Sequence, residues 1–416
     1  MARAMKDSGI AWIGEIAEDF EVIKLKYLCD ILDQYRSPIT ADQRNQDADV
    51  LYDYYGASGA IDKIDGYTID DHVMLIGEDG ANLKMRNLPL MYEVNGKAWI
   101  NNHAHILKPK SEVDFYYLFY ALEALDLNTY ITGSAQPKLS QENLKNIWIP
   151  IPRNDIQNKI SMAIREKCQD IDALIEQTRA SIDEYKKLKQ AVITQAVTKG
   201  IRPNRPMKDS GVDWIAQIPT EWNMLRGKWL FHETDERSEN GSEELLTVSH
   251  ITGITPRNQK NVNMFMSESL VGYKICRVND IAANTMWMWQ GAIGVSKYHG
   301  VISPSYNTYR QVNNKYNPDY LDYLLRIKPL VDTYNANSTG ITPSRLRLYP
   351  DQFLSIMFPI PPMEEQIEIA EYLNEKIGDV ENLTGKKEQY LSELEGYKKS
   401  LIFVYVTGKK EAIFDV

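Results

Sequence analysis

From Ile164 onward the apolar positions step by threes and fours: Ile164, Cys168, Ile171, Ile175, Thr178, Ile182, Tyr185, Leu188, Val192 and Ala196. The same stepping returns 209 positions later through Leu373, Ile377, Val380, Thr384, Lys387, Leu391, Leu394, Tyr397, Leu401 and Tyr405. A spacing averaging near 3.5 is that of a coiled-coil seam. Each run is free of internal proline for roughly 44 residues, enough for a helix of about 65 Å. The two helices are expected to pair antiparallel, which joins two similar halves by pseudo-twofold symmetry and brings the chain ends together. Prolines stand before each run, at Pro150 and Pro152 and again at Pro359, Pro361 and Pro362. Proline suits the first turn of a helix, and Asn154 with Gln157 is spaced for a capping box.

Ahead of each long helix the pattern changes to short apolar runs broken by Gly, Asn, Asp and Ser. HVMLIG, KAWINNHAHIL and NTYRQV read as strands, and one aromatic-rich helix is expected from Asp114 or Asp319. The fold class is therefore α+β: two mixed α/β domains, residues 1–152 and 207–361, alternating with two long helices, residues 153–206 and 362–416, in an antiparallel coiled coil.

The halves are repeats. Met5 to Ile16 (MKDSGIAWIGEI) and Met207 to Ile218 (MKDSGVDWIAQI) share 8 of 12 residues. NIWIPIPRNDIQNKI and SIMFPIPPMEEQIEI echo each other at a shift of 209, where the first pair is shifted by 202. VDFYYLFYALEAL with PDYLDYLLRIKPL and TGSAQPKL with TGITPSRL lie between, at 205 and 207. A slowly growing shift is what one duplicated unit with small insertions leaves, and a unit of about two hundred residues is too large for a solenoid repeat. Two details decay between copies: Pro362-Met-Glu-Glu365-Gln366 becomes Arg153-Asn-Asp-Ile156-Gln157, and Pro219 and Trp222 become Ala17 and Phe20.

Composition narrows the picture. With 416 residues, 43% hydrophobic and 25% charged, the chain can bury sizeable cores. Its longest apolar runs, such as LIFVYV from Leu401, fall far short of the roughly 20 residues that cross a bilayer. MARAMKDSG lacks the apolar stretch of a secretory signal, so a cytoplasmic protein is expected. Cys29, Cys168 and Cys276 are too far apart for CxxC chemistry and read as buried thiols. The net charge is -10, and residues 1–150 hold 14 Lys and Arg against 23 Asp and Glu. Such a balance argues against tight autonomous binding to nucleic acid and for local basic patches or basic partners.

Catalytic signatures are missing: no GxxxxGK[ST], no GxSxG, and no Asn/Asp-Pro-Pro-aromatic tetrapeptide of amino methyltransferases. His103 and His105 in NNHAH are better read as a structural pair than as a metal site, and GEDG at Gly77 to Gly80 as a turn between strands. No metal site is expected.

WIGEIAEDFEVIKLK, YYGASGAID, LIGEDGANL, WINNHAHIL, TGSAQPKLS and IPIPRNDIQNKI resemble the specificity subunits of type I restriction-modification systems. LLTVSHITGI, YKICRVNDIAANTMWMWQGAIGVS, ISPSYNTY and FPIPPMEEQIEIA do so in the second half. The resemblance covers essentially the whole chain. It implies two target recognition domains and two helical spacers, and a subunit that chooses the DNA sequence for a larger enzyme without catalysis of its own. It also implies partners: double-stranded DNA, two modification (methyltransferase) subunits using S-adenosylmethionine, and a restriction subunit using ATP for translocation and cleavage. No cofactor is expected on this chain. Two readers on one chain would recognise a bipartite, non-palindromic target. Half-sites read from one face of the duplex would lie about 10 bp apart, the helical pair setting the gap. The rival reading is a coiled-coil scaffold that never touches DNA.

Candidate base-reading or phosphate-binding residues sit in the loops: Tyr54, Tyr55 and Ser58 in YYGAS, Lys84 and Arg86 in NLKMR, and Gln136 and Lys138 in SAQPK. The second half offers Arg257 and Lys260, Trp287 and Gln290, Lys297 and Tyr298, and Arg345 and Arg347. Amide and guanidinium groups can pair with purine edges and lysines with phosphates. Lys138 and Arg345 recur at matched positions. The outer helix lysines Lys186, Lys187, Lys398 and Lys399 are candidates for docking modification subunits. Trp12 and Trp214 are expected to pack where each domain meets the helix ends.

Overall fold

The computed structural model describes residues 3–45, 47–133, 136–259, 269–340 and 346–412. The chain forms two compact units, one made of Met1–Arg179 with Gln389–Val416 and the other of Ala180–Glu388. Among the described residues no helix is long and apolar enough to cross a membrane.

The units are built on one plan. The first begins with a hairpin of Met5–Asp7 and Glu15–Ala17, then a strand Glu21–Lys24 antiparallel to Trp148–Ile151. The second repeats this with Met207–Asp209 and Gln217–Pro219, then Asn223–Arg226 against Met357–Ile360. Each has a sheet with the same inner order. In the first it runs Cys29–Ile31, Ala104–Pro109, Ile69–Gly77, Met91–Ile100, and in the second Phe231–Thr234, Asn307–Gln311, Ile281–Ala283, Ile293–Val295. The first sheet is then widened by a hairpin of Tyr52–Gly56 and Gly59–Ile64, its first strand parallel to Met91–Ile100. The second unit instead carries two separate ladders, Leu246–Ser249 with Gly253–Pro256 and Lys274–Cys276 with Gly300–Ile302. The halves thus share a frame and differ at its margin.

The aromatic-rich helices span Phe115–Glu123 and Pro318–Leu325. Asp114 and Asn317 cap them, each side chain accepting from the backbone N–H three residues on. Their inward tyrosines reach further elements. Tyr117 Oη donates to the carbonyls of Pro150 and Val406, and Tyr320 Oη to that of Val197.

The long helices run Asn154–Lys199 and Met363–Val406. They lie antiparallel within each unit: Asp172 meets Lys398 and Arg179 meets Glu395 in the first, while Lys189 meets Glu381 and Lys186 meets Glu388 in the second. Of the seam read from the spacing, Ile164, Ile171, Ile175, Ile182, Leu373, Ile377, Leu394 and Leu401 are buried, and Val380 and Leu391 half-buried. Leu188 is not on it: its side chain is 48% exposed, and so is 57% of its counterpart Tyr397. The stripe steps by four to Lys189 and Lys398 instead, because an α-helix has 3.6 residues per turn and a strict 3.5 repeat slips. At both places the half-buried position is a lysine stem whose ammonium reaches a carboxylate on the facing helix.

Asn154 and Gln157 do not form a capping box. Gln157 turns back, its carbonyl accepting from Asp114 N and its amide donating to Pro152 O. Gln366 does the same with Asn317 N and Pro361 O, which explains why this glutamine stands in both copies.

The decayed details turn out to be one change. In the second unit Trp222 Nε1 donates to Glu365 Oε2 at 2.9 Å, and Arg205 pairs with Glu365 and Glu221. In the first unit Phe20 has no N–H to give and Ile156 has no carboxylate to receive it, so donor and acceptor were lost together. The rest of the constellation persists, with Arg3 pairing to Asp19 at 2.9 Å and lying 5.1 Å from the Phe20 ring centroid.

Each long helix ends in a left-handed glycine, Gly200 (φ 74°) and Gly408 (φ 70°). A Cβ on Gly408 would come within 2.6 Å of Ala17 Cβ. Thr407 O accepts from Ala17 N at 3.0 Å, so the tail of the second helix is part of the first unit's core. Arg3 Nη1 donates to Gly408 O, bringing the two described ends of the chain side by side in that unit. Trp12 is half-buried against the same core, and Trp214 Nε1 donates to Met357 O at 3.2 Å.

Candidate nucleic-acid interface

In the first unit three loops meet at the end of the sheet beyond Gly77. Glu78 N donates to His103 O, Leu139 N to Glu78 O, and Gly80 N to Pro137 O. The turn at Ala57 and Ser58 covers Gly77 so closely that a Cβ there would come within 2.7 Å of Ala57 O. Ser58, Lys84, Gln136 and Lys138 are exposed around this junction, and Lys84 Nζ reaches Gly133 O at 3.5 Å.

The junction rests on a charged cluster. His105 is buried, with Nδ1 2.7 Å from Asp33 Oδ2 and Nε2 2.9 Å from Leu139 O. The ring is thus held between a carboxylate and a backbone carbonyl. Burial would raise the Asp33 carboxyl, but hydrogen bonds from His105 and Gln141, His105's charge and Ile106 N–H outweigh it and hold it below the usual range. Glu78 is likewise held low against its burial, by Arg36 at 2.5 Å and Lys138 at 3.1 Å. His103 turns away to Asp79, so the two histidines serve different carboxylates. Among the described residues no group of His, Cys, Asp and Glu is arranged to hold a metal.

Several loop residues are committed elsewhere. Tyr54 is 1% exposed with the Arg44 guanidinium 4.3 Å from its ring centroid, which removes it from any surface a duplex could touch. Tyr55 is half-buried against the sheet's second core. Arg86, left-handed at φ 52°, donates to the carbonyls of Glu123 and Leu125 and so ties a loop to a helix end. Its counterpart is Gly291, φ 89°, which closes the corresponding turn. Residues missed from sequence include Tyr52 and Tyr67, edge-to-face at 5.4 Å with Lys97 over both rings. Their positions in sequence are far apart and only the sheet brings them together.

In the second unit the corresponding turn is Asn284–Gly291. Trp287, 48% exposed, stacks on Trp289 at 6.2 Å, and Gln290 is half-buried beside them. Asn284 Nδ2 donates to Tyr306 Oη at 2.9 Å and Thr285 Oγ1 to Ser305 O, which fixes this turn against the next loop. Burial pushes the Tyr306 phenol up, with Arg257 close enough to pull it back. Arg347 is exposed and its backbone is bridged to Thr339. Lys297 pairs with Asp319 at 3.0 Å and faces a cleft with Lys189 and Glu381, and Tyr298 packs on the core around Val248. Lys260 and Arg345 lie outside the described residues.

Comparison with known proteins bears on this frame of two similar units with unlike loops. The family model for the type I restriction modification DNA specificity domain matches residues 17–184. A putative type I restriction enzyme specificity subunit of Haemophilus influenzae is 30% identical over 136 residues, 33% of this chain and 34% of its own. The putative MjaX specificity subunit of Methanocaldococcus jannaschii is 25% identical over 448 aligned positions, 95% of both chains. Residues 17–184 thus resemble the type I restriction-modification DNA specificity domain, and the similar proteins are specificity subunits. A chain from a solved structure on complex assembly and conformational transition of a type I system has the same fold, with TM-score 0.65 at 14% identity over 95% of this chain and 99% of its own length.

Proposed function

We propose that this chain is a cytoplasmic DNA-targeting subunit that reads a bipartite, asymmetric sequence, one half-site per unit, and performs no chemistry itself. Methylation with S-adenosylmethionine would fall to two modification subunits and ATP-driven cleavage to a restriction subunit. The observation that carries the reading is the shared frame with unlike loops: the hairpin, inner sheet order and helix docking repeat, while the exposed Ser58 and Lys84 of the first unit's junction give way to the stacked Trp287 and Trp289 in the second unit's turn. Two different surfaces on one repeated scaffold suit two different half-sites.

Co-expression with modification subunits followed by methylome sequencing tests it. The expected result is one methylated motif with two specific parts and an unread gap, absent without this chain. Methylation that is independent of the chain, or of no fixed sequence, would leave the scaffold reading in its place.

A further inference from the structure

Each unit follows its Glu21–Lys24 or Asn223–Arg226 strand with a single 3-10 turn, Leu25–Tyr27 in the first and Gly227–Trp229 in the second. The turns are pinned from beneath by identical bonds, Leu25 N to Ile147 O and Gly227 N to Ile356 O, both 2.8 Å. On top each presents the same pair. Lys26 Nζ lies 5.0 Å from the Tyr27 ring centroid, and Lys228 Nζ 5.2 Å from that of Trp229. The rings are 61% and 63% exposed, so they add almost nothing to either core. Neither lysine has an acidic partner among the described residues.

A lysine beside an exposed aromatic ring that occurs twice on one chain, kept while the other loops differ, fits one ligand surface twice. The phosphate backbone is one such ligand, but Tyr27 shares a shallow hollow with Asp19, Glu21 and Glu112 against Lys110 and Arg153, over Ile23 and Val113. Carboxylates outnumber cations there, a mixed rim on an apolar floor that suits a protein surface better than a run of phosphates. Tyrosine, tryptophan and a cation over an apolar floor are instead the residue types on which protein partners are anchored.

We infer that the Lys26–Tyr27 and Lys228–Trp229 turns are paired docking points for a protein bound in two copies, each copy offering a carboxylate to the lysine and an apolar slot to the ring. The inference rests on the reading above, in which that protein is the modification subunit. Tyr27→Ala, Trp229→Ala and the double substitution test it in the full chain, with Lys26→Glu and Lys228→Glu as variants that keep the rings. Assembly with purified modification subunits is followed by native mass spectrometry and titration, beside DNA binding and melting temperature. Each single change should weaken one of two copies by about 30-fold, as for the loss of an interface anchor, and the double change should weaken both, with melting unchanged. Variants that assemble like the wild type overturn the docking points alone, as does loss of DNA affinity with assembly intact. A wild-type chain that takes up no modification subunit overturns the docking points and the functional reading together.

Discussion

Lys398 reaches both oxygens of Asp172, at 2.6 and 2.7 Å, and 209 positions earlier Lys189 reaches Glu381 at 2.5 Å. The two pairs are copies of one contact, each placing a cation where an apolar seam would otherwise continue. Their side chains remain partly solvated, with the lysines about 30% exposed. A pair of this kind contributes little stability but fixes which residues face each other. Lys398→Glu should lower unfolding free energy by about 0.5–1 kcal/mol, and Asp172→Lys in the same chain should restore it. A double-mutant cycle in urea measures this, and high salt should shrink the coupling.

Trp222→Phe should cost about 1–3 kcal/mol, because Glu365 stays buried with one donor fewer. Adding Glu365→Ile reproduces the chemistry of the first unit and should recover part of the loss. Denaturation monitored by tryptophan-independent circular dichroism would show whether the double variant is indeed less damaged than the single.

Acid should loosen the first unit's loop junction. The Asp33 carboxyl sits below its ordinary value in the folded chain, so its stabilisation is complete above the unfolded pKa and is lost as pH falls through the lower, folded one. His105 and Arg36 lie against it, with Glu78 and Lys138 beside them. Asp33→Asn should flatten the acid limb of a stability–pH curve below about pH 4. An unchanged curve would mean that other carboxylates govern acid unfolding.

The three cysteines should be unreactive in the native chain. Burial pushes Cys29 and Cys276 up to about 12 and Cys168 to about 11, so thiolate is scarce at neutral pH. Labelling with an aromatic disulfide at pH 8 should be slow for all three and complete only in denaturant.

Glycines on the second long helix divide sharply. Gly385 and Gly396 have nothing within 4 Å of a would-be Cβ, so alanine there should add up to about 1 kcal/mol of stability. At Gly408 alanine meets Ala17 and Phe20 and must hold a left-handed backbone, so it should destabilise the first unit. Melting curves of the three variants should separate in sign.

The long helices and their partnership were legible from spacing because period survives translation along an axis. The seam's slip from Leu188 to Lys189 was not, since a lysine stem counts as polar in sequence and as apolar in a groove. The loop residues were less legible still. Tyr54, Arg86 and Lys138 look alike as exposed polar or aromatic loop positions, yet one is core, one ties a helix end and one leans on Glu78. What separates them is the sheet's cross-connections, and no local pattern records those. Trp222 and Phe20 show the converse, since the change was visible at once but its partner change, Glu365 to Ile156, gained meaning only from a hydrogen bond.

The second unit is one continuous stretch of chain, whereas the first needs the segment from Gln389 onward to fill the space beside Ala17, Phe20 and Tyr117. During synthesis the segment that leaves the ribosome first therefore waits, its core open, until the second helix has been made. Folding should run backwards relative to translation: the later reader closes before the earlier one, and the earlier is the one exposed to proteases and chaperones in the interval.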